Sequence, residues 1–201
     1  MANKISEEQV LKNTEIVNKL LEAIPEGRAG FIREMMVGPV GDEYFTAPAS
    51  PRVSWHNCFP GGLCDHSLRV TQFLHRLAKD LAPGRFDVNT LNFVGLFHDL
   101  GKVGDGKNPY YIPLEGRDND WRRSKGELYE INKECVHMPT SERGLYILQN
   151  HTIQVTSDEY LAIRLNDGMY DETNKRYALH EPDLALLVHF ADRWATAVEK
   201  S

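Results

Sequence analysis

Apolar residues recur along this chain at three- and four-residue spacing, the period of an amphipathic helix, and almost nowhere alternate with the period of two that a strand requires. The first such stretch runs Val10, Leu11, Thr14, Val17, Leu20, Leu21 and Ile24. Ser6-Glu7-Glu8-Gln9 ahead of it reads as a capping box, and Pro25 and Gly27 end it. Phe31 to Val37 predicts a second, short helix, and the Pro- and Gly-rich segment from Gly38 to Gly62 predicts a loop. Leu63, His66, Val70, Phe73, Leu77 and Leu81 then share one helical stripe, closed by Pro83-Gly84. Asn89 or Thr90 caps the next helix, which ends at His98-Asp99. Residues 103–136 are polar, with Gly, Pro and aromatics interspersed, and predict a long irregular insertion, a feature more often functional than structural. Pro139-Thr140-Ser141-Glu142 opens a helix to about Asn150, and Thr156-Ser157-Asp158-Glu159 opens another to about Asn166, broken by Asp167-Gly168. The last helix runs from Pro182-Asp183 to about Lys200, with Leu184, Leu187, Val188, Ala191, Trp194, Ala195 and Val198 inward. The expected fold is all-α.

Polar residues that fall on the apolar faces carry the chemistry. His66 lies on the buried stripe of its helix; alone, it reads equally well as a core histidine. His98 and Asp99 are adjacent at the end of the apolar run from Leu91 to Phe97. Neighbouring side chains on a helix point in different directions, so the two converge only near a helix end, where Gly101 offers a C-cap. Alone, this pair reads as a capping aspartate beside a half-buried histidine. Asp192 sits amid the apolar face of the last helix, where a carboxylate is costly without a cation. Arg193 is adjacent and points elsewhere, which makes a metal ion the attractive partner. His66, His98, Asp99 and Asp192 come from three helices, and ligands converging from facing helices are how helical bundles build metal sites. Mixed nitrogen and oxygen ligation suits Mn, Fe, Co, Ni or Zn better than Mg, although Mg is not excluded.

Composition narrows the classes. A chain of 201 residues fits one domain, with or without a helical extension. Its net charge of −6 argues against stable binding along a nucleic-acid backbone. A small anionic substrate stays open if positive charge or a metal is concentrated locally. No apolar run approaches a membrane span, and Met1-Ala2-Asn3-Lys4 with Glu7-Glu8-Gln9 lacks a signal-peptide core. Three cysteines, Cys58, Cys64 and Cys135, form no even framework; a reducing cytoplasm is the expected compartment. A structural zinc site from His56, Cys58, Cys64 and His66 matches no finger spacing and would take His66 from the other ligands.

Gly61-Gly62-Leu63-Cys64-Asp65-His66-Ser67-Leu68, then His98-Asp99-Leu100-Gly101-Lys102, then Ala191-Asp192, resembles the HD-domain superfamily of metal-dependent phosphohydrolases over roughly residues 45–200. Ala47-Pro48-Ala49-Ser50 and Trp55-His56 resemble the small HD hydrolases of bacteriophages and prophages. The resemblance implies an HD helical bundle over 45–201, a helical extension over 1–44, and the 103–136 insertion near the active site. It places the metal on His66, His98, Asp99 and Asp192. Some HD proteins add a second metal; His137 matches one of its histidines, but Asn166 stands where the other is expected, leaving Asp167 as a substitute. A mononuclear or weak second site is the preferred reading.

The chemistry implied is hydrolysis of a nucleotide phosphoester, a deoxynucleotide first, by a metal-activated water. Lys102 and His56 join Asp99 as expected catalytic groups, Lys102 meeting a phosphate oxygen and His56 protonating the leaving oxygen or binding phosphate. Arg52 precedes the metal helix and is expected at the mouth of the site. Arg122, Arg123 and Lys125, in the densest positive patch of the insertion, are expected to grip substrate. The alternatives are an HD-type di-iron oxygenase, which needs the full two-metal set, and a nucleotide-binding HD protein without turnover. Small all-α HD proteins often pair, so a homodimer is allowed.

Overall fold

The computed structural model describes residues 5–24 and 26–200. The expectations placed on residues 1–4 and on Pro25 lie outside them. Ser6 opens α1 (Glu7–Glu22) by accepting the Gln9 N–H. The reciprocal half of the capping box is absent, because the Gln9 amide donates to Asn13 instead, 2.9 Å away. Gly27 does not end this helix; it lies in the first turn of α2 (Glu26–Val37), which starts earlier than its apolar residues indicate. The segment expected as loop contains α3 (Pro39–Thr46), with Pro39 in the first turn, where a missing N–H costs nothing. Tyr44 of α3 is wholly buried, and its hydroxyl donates to the Leu96 carbonyl at 3.0 Å.

Helix α4 (Gly62–Leu81) lies against α5 (Val88–Phe97). Its buried arc holds Leu63, His66, Val70, Leu74 and Ala78, while Phe73 and Leu77 are half-buried and Leu81 is 65% exposed. Neighbours on more than one side widen the arc beyond the single expected stripe, and Leu81 drifts off its edge. The cap of α5 is Asp87, which accepts the Asn89 and Thr90 amides at 2.8 and 3.0 Å, rather than Asn89 or Thr90. A 3-10 turn, Leu100–Val103, follows His98-Asp99. Gly101 sits inside that turn and is no left-handed C-cap. It is needed for space, since a Cβ there would stand 1.9 Å from the Thr140 carbonyl oxygen.

The insertion is less irregular than its composition indicates. Strand β1 (Tyr111–Pro113) pairs antiparallel with β2 (Tyr129–Ile131), Tyr111 opposite Ile131, around the short α6 (Asp120–Ser124). Helix α7 (Thr140–Asn150) packs on the 3-10 turn, and α8 (Ser157–Arg164) starts with the complete Thr156/Glu159 capping box. The last helix, α9 (Asp183–Glu199), packs along α4 and α8. Leu184, Leu187, Val188, Ala191 and Ala195 of α9 are buried as expected, but Trp194 is 61% exposed, one residue off that line. The fold is all-α apart from the hairpin. One apolar cluster joins Val17, Ile32 and Met35 of the N-terminal helices to Leu63, Phe97 and Val188. Arg28 of α2 clamps Glu159 of α8 bidentately at 2.9 and 2.7 Å. No helix of the described residues is long and apolar enough to cross a membrane.

Candidate metal centre and its pocket

Four helical segments meet where α4, the end of α5, the turn after α8 and α9 come together. His66 projects from α4 into the core and is fully buried. The loop before it is pinned by Asn57, which takes a left-handed φ of 42° and donates its side-chain amide to Asp65 at 3.0 Å. Asparagine tolerates that conformation better than most residues. His98 keeps helical angles as the C-cap of α5, whereas Asp99 opens to φ −106°, ψ 15°. The break between them turns two neighbouring side chains to one side, as the end of the helix demands.

The geometry fits a cation. His66 Nδ1 lies 2.9 Å from Glu199 Oε2, and His98 Nδ1 lies 2.9 Å from the Gly95 carbonyl oxygen. Both partners are acceptors, so both Nδ1 atoms carry a proton and both Nε2 atoms face the site. Those two Nε2 atoms are buried, and neither makes a hydrogen bond of good geometry. Asp192 Oδ1 is 3.0 Å from His66 Nε2 and 3.8 Å from His98 Nε2; Asp99 Oδ2 is 3.6 and 3.5 Å from the same atoms. Two ligand groups stand out among the described residues, His66 with His98 and Asp192, and His66 with His56 and Glu199; Asp99 flanks the first while pairing with Lys102 Nζ at 2.6 Å. Two buried imidazole nitrogens facing two carboxylates are a donor set for a divalent metal.

The charges tell the same story. Burial works against a proton on His66, but Asp192 and Glu199 overcome it and raise its pKa to about 10. Burial also opposes charge on Asp99, yet Lys102, His98 and His66 hold its carboxyl below the usual range. Asp192 is likewise held low by His66 and His98 against burial. The site stabilises positive charge among its carboxylates, whether proton or metal.

A pocket of about 540 Å³ opens on this group. Among the expected residues, His56, Asp99, Lys102, Asp167 and Asp192 line it. The His56 ring lies 4.6 Å from the His66 ring, tilted by 44°, and its buried Nε2 makes no hydrogen bond. Burial, then Lys102 and His66, push its pKa down to about 2, so it is a neutral imidazole. Asp167 is pushed up by burial and by Asp99. His137 is exposed and belongs to neither ligand group found among the described residues. Asn166 is buried and spends its amide on the His98 carbonyl at 3.3 Å.

The cations of the insertion are not gathered here. Arg122 is held by Glu127 and Glu130 at 3.1 and 2.6 Å, and Arg123 by Asp120 and the Leu114 carbonyl. Lys125 is exposed on the same segment, and Arg52 reaches Glu127 at 3.5 Å beside Trp55. Cys58 and Cys64 are free, buried thiols, pushed by burial up to about 11 and about 12, and join neither ligand group.

Sequence reasoning missed Glu199, His189, Thr196, Lys200 and Tyr170, and it aimed Arg193 away from the site. Arg193 lines the pocket together with Tyr170, His189, Thr196 and Lys200. The available signal was spacing on α9, where positions 189, 192, 196, 199 and 200 recur at three, four and seven residues. Neither the curated proteins nor the solved structures contain a match to this chain. The model of the HD domain family matches residues 63–197, from the first turn of α4 to the last turn of α9, and spans all four expected metal ligands. The chain belongs to the HD domain family, whose members bind divalent metals and are typically metal-dependent phosphohydrolases.

Proposed function

We propose that this protein is a divalent-metal-dependent phosphohydrolase acting on a small nucleotide, a deoxynucleotide first, with His66, His98, Asp99 and Asp192 as metal ligands. The observation that carries the reading is the pair of buried Nε2 atoms of His66 and His98 that face the carboxylates of Asp99 and Asp192. Mn, Fe, Co, Ni and Zn suit this mixed donor set better than Mg. Such a metal supplies Lewis acidity and a bound water acidic enough to attack near neutral pH.

The chain's own groups supply the rest. Lys102, 13% exposed and tied to Asp99, brings a fixed positive charge to the pocket wall, where a phosphoryl oxygen gains most from it. His56, neutral at working pH, suits donation of a hydrogen bond to phosphate and not proton delivery to the leaving oxygen. Asp167 is the pocket carboxylate whose proton affinity is raised by burial and by Asp99, which suits it to take a proton from the attacking water. The oxygenase alternative needs a second ligand set, and Asn166, already bonded to His98, offers none.

The test is phosphate release from a nucleotide panel by metal-stripped protein, with each divalent metal added back singly. Release that needs metal and disappears in Asp99→Ala supports the reading. Folded, metal-binding protein that releases no phosphate from any nucleotide would overturn it in favour of binding without turnover.

A further inference from the structure

The pocket holds more positive charge than the metal ligands require. Three carboxylates line it, Asp99, Asp167 and Asp192, and three cations, Lys102, Arg193 and Lys200. A divalent ion added to this balanced set leaves an excess of two positive charges, so the occupant is an anion. The cations differ in what they are committed to. Lys102 is paired with Asp99 at 2.6 Å. Arg193 and Lys200 are exposed and have no carboxylate partner among the described residues; Arg193 only lies 5.9 Å over the Tyr170 ring. In the insertion, by contrast, Arg122 and Arg123 are already spent on acids.

Their placement on α9 is ordered. Asp192, Thr196 and Lys200 follow one another at four-residue intervals, and Arg193 borders that row; all of them line the pocket. Long side chains on a helix tend to lean towards its N-terminus, which is the direction of Asp192 from both Arg193 and Lys200. The Thr196 hydroxyl donates to Asp192 Oδ1 at 3.5 Å. The row begins at Asp192, with Arg193 beside it, and ends at Lys200; neither cation has a carboxylate partner among the described residues.

We infer that Arg193, Thr196 and Lys200 form a second anion subsite, which binds a further phosphate of the substrate beyond the one at the metal centre. The inference rests on the phosphohydrolase reading of that centre and adds the substrate class: a phosphoester carrying at least one more phosphate, a nucleoside di- or triphosphate over a monophosphate. The subsite positions the substrate and does not touch the reacting bond.

The test reads binding. Orthophosphate and tripolyphosphate are titrated calorimetrically into the metal-loaded protein, with metal in excess of the anion so that chelation strips none away. Tripolyphosphate is expected to bind about tenfold more tightly than orthophosphate, the worth of two exposed charge-assisted contacts. Arg193→Ala combined with Lys200→Ala is expected to erase that preference and leave orthophosphate binding within about threefold. Lys19→Ala, which removes a positive charge from α1, is expected to leave it intact. Equal affinity for the two anions, or an undiminished preference in the double variant, overturns the subsite. Because the readout is binding, a protein with the preference but without phosphate release from any nucleotide would sink the hydrolase reading and spare the subsite.

Discussion

Glu199 Oε2 lies 2.9 Å from Nδ1 of His66, with both side chains almost wholly buried, and the same carboxylate meets Arg69 Nε at 3.0 Å. The contact fixes the tautomer of His66, holds its ring plane and raises the basicity of the nitrogen that faces the metal centre. Glu199→Gln keeps the shape and removes the charge. Outer partners of this kind are worth about 10–100-fold in metal affinity, so the variant is expected to bind Mn or Zn about tenfold more weakly, read by competition with a chromophoric chelator. An unchanged affinity would reduce Glu199 to a neutraliser of Arg69.

Gly101 carries a second prediction. Its Cβ position is 1.9 Å from the Thr140 carbonyl oxygen and 2.9 Å from the Gly144 nitrogen, both backbone atoms of α7 that cannot turn aside. Gly101→Ala therefore has to push α7 off the turn after Asp99. Overpacking of this sort costs about 1–3 kcal/mol, visible as a lowered denaturation midpoint. Since Asp99 and Lys102 flank the displaced residue, metal affinity is expected to fall as well.

The residues proposed to hold a metal were legible because each breaks a pattern: a histidine on an apolar stripe, an adjacent histidine and aspartate at a helix end, an aspartate inside an apolar face. Helix α3 was not legible, because Pro39 and Gly41 read as loop punctuation until Tyr44 is seen buried against Leu96. Gly101 was read for its backbone freedom when the need is space, which only the approach of α7 reveals. Glu199 and Lys200 look like the frayed polar end of a helix. Their places beside His66 and in the pocket lining appear only when α4 packs against α9. The Arg-rich insertion misled in the opposite direction, since a count of cations says nothing about the acids that fold back onto them.

Arg28 ties the N-terminal helices to α8. Its guanidinium grips Glu159 at two points and lies 3.9 Å over the Phe93 ring, while the Glu159 side chain is 1% exposed. Arg28→Ala leaves a buried carboxylate with only the Thr156 amide to satisfy it. The expected loss is about 3 kcal/mol, the low end for a broken buried pair because that amide remains. In a double-mutant cycle, Arg28→Ala with Glu159→Gln is expected to lose clearly less than the sum of the two single changes. Additive losses would mean that the pair is not coupled.

Asp105 ties the two ends of the insertion together and makes that tie sensitive to acid. Its carboxylate accepts the backbone amides of Lys107, Asn108 and Val136 at 3.0, 2.8 and 3.3 Å. Burial opposes the charge, but the amides of Asn108, Lys107 and Val136 outweigh it and lower the pKa to about 2. A carboxyl whose folded pKa lies below its unfolded value near ~3.9 stabilises the fold above that value. The contribution is lost as pH falls from about 4 through about 2, and not on the alkaline side. Hydrogen exchange at the Val136 amide, corrected for the intrinsic rate at each pH, is expected to lose protection across that window. In Asp105→Asn the protection is expected to be lower at pH 7 and insensitive to acid over the same range. Acid-dependent protection that persists in Asp105→Asn would assign the tie to another group.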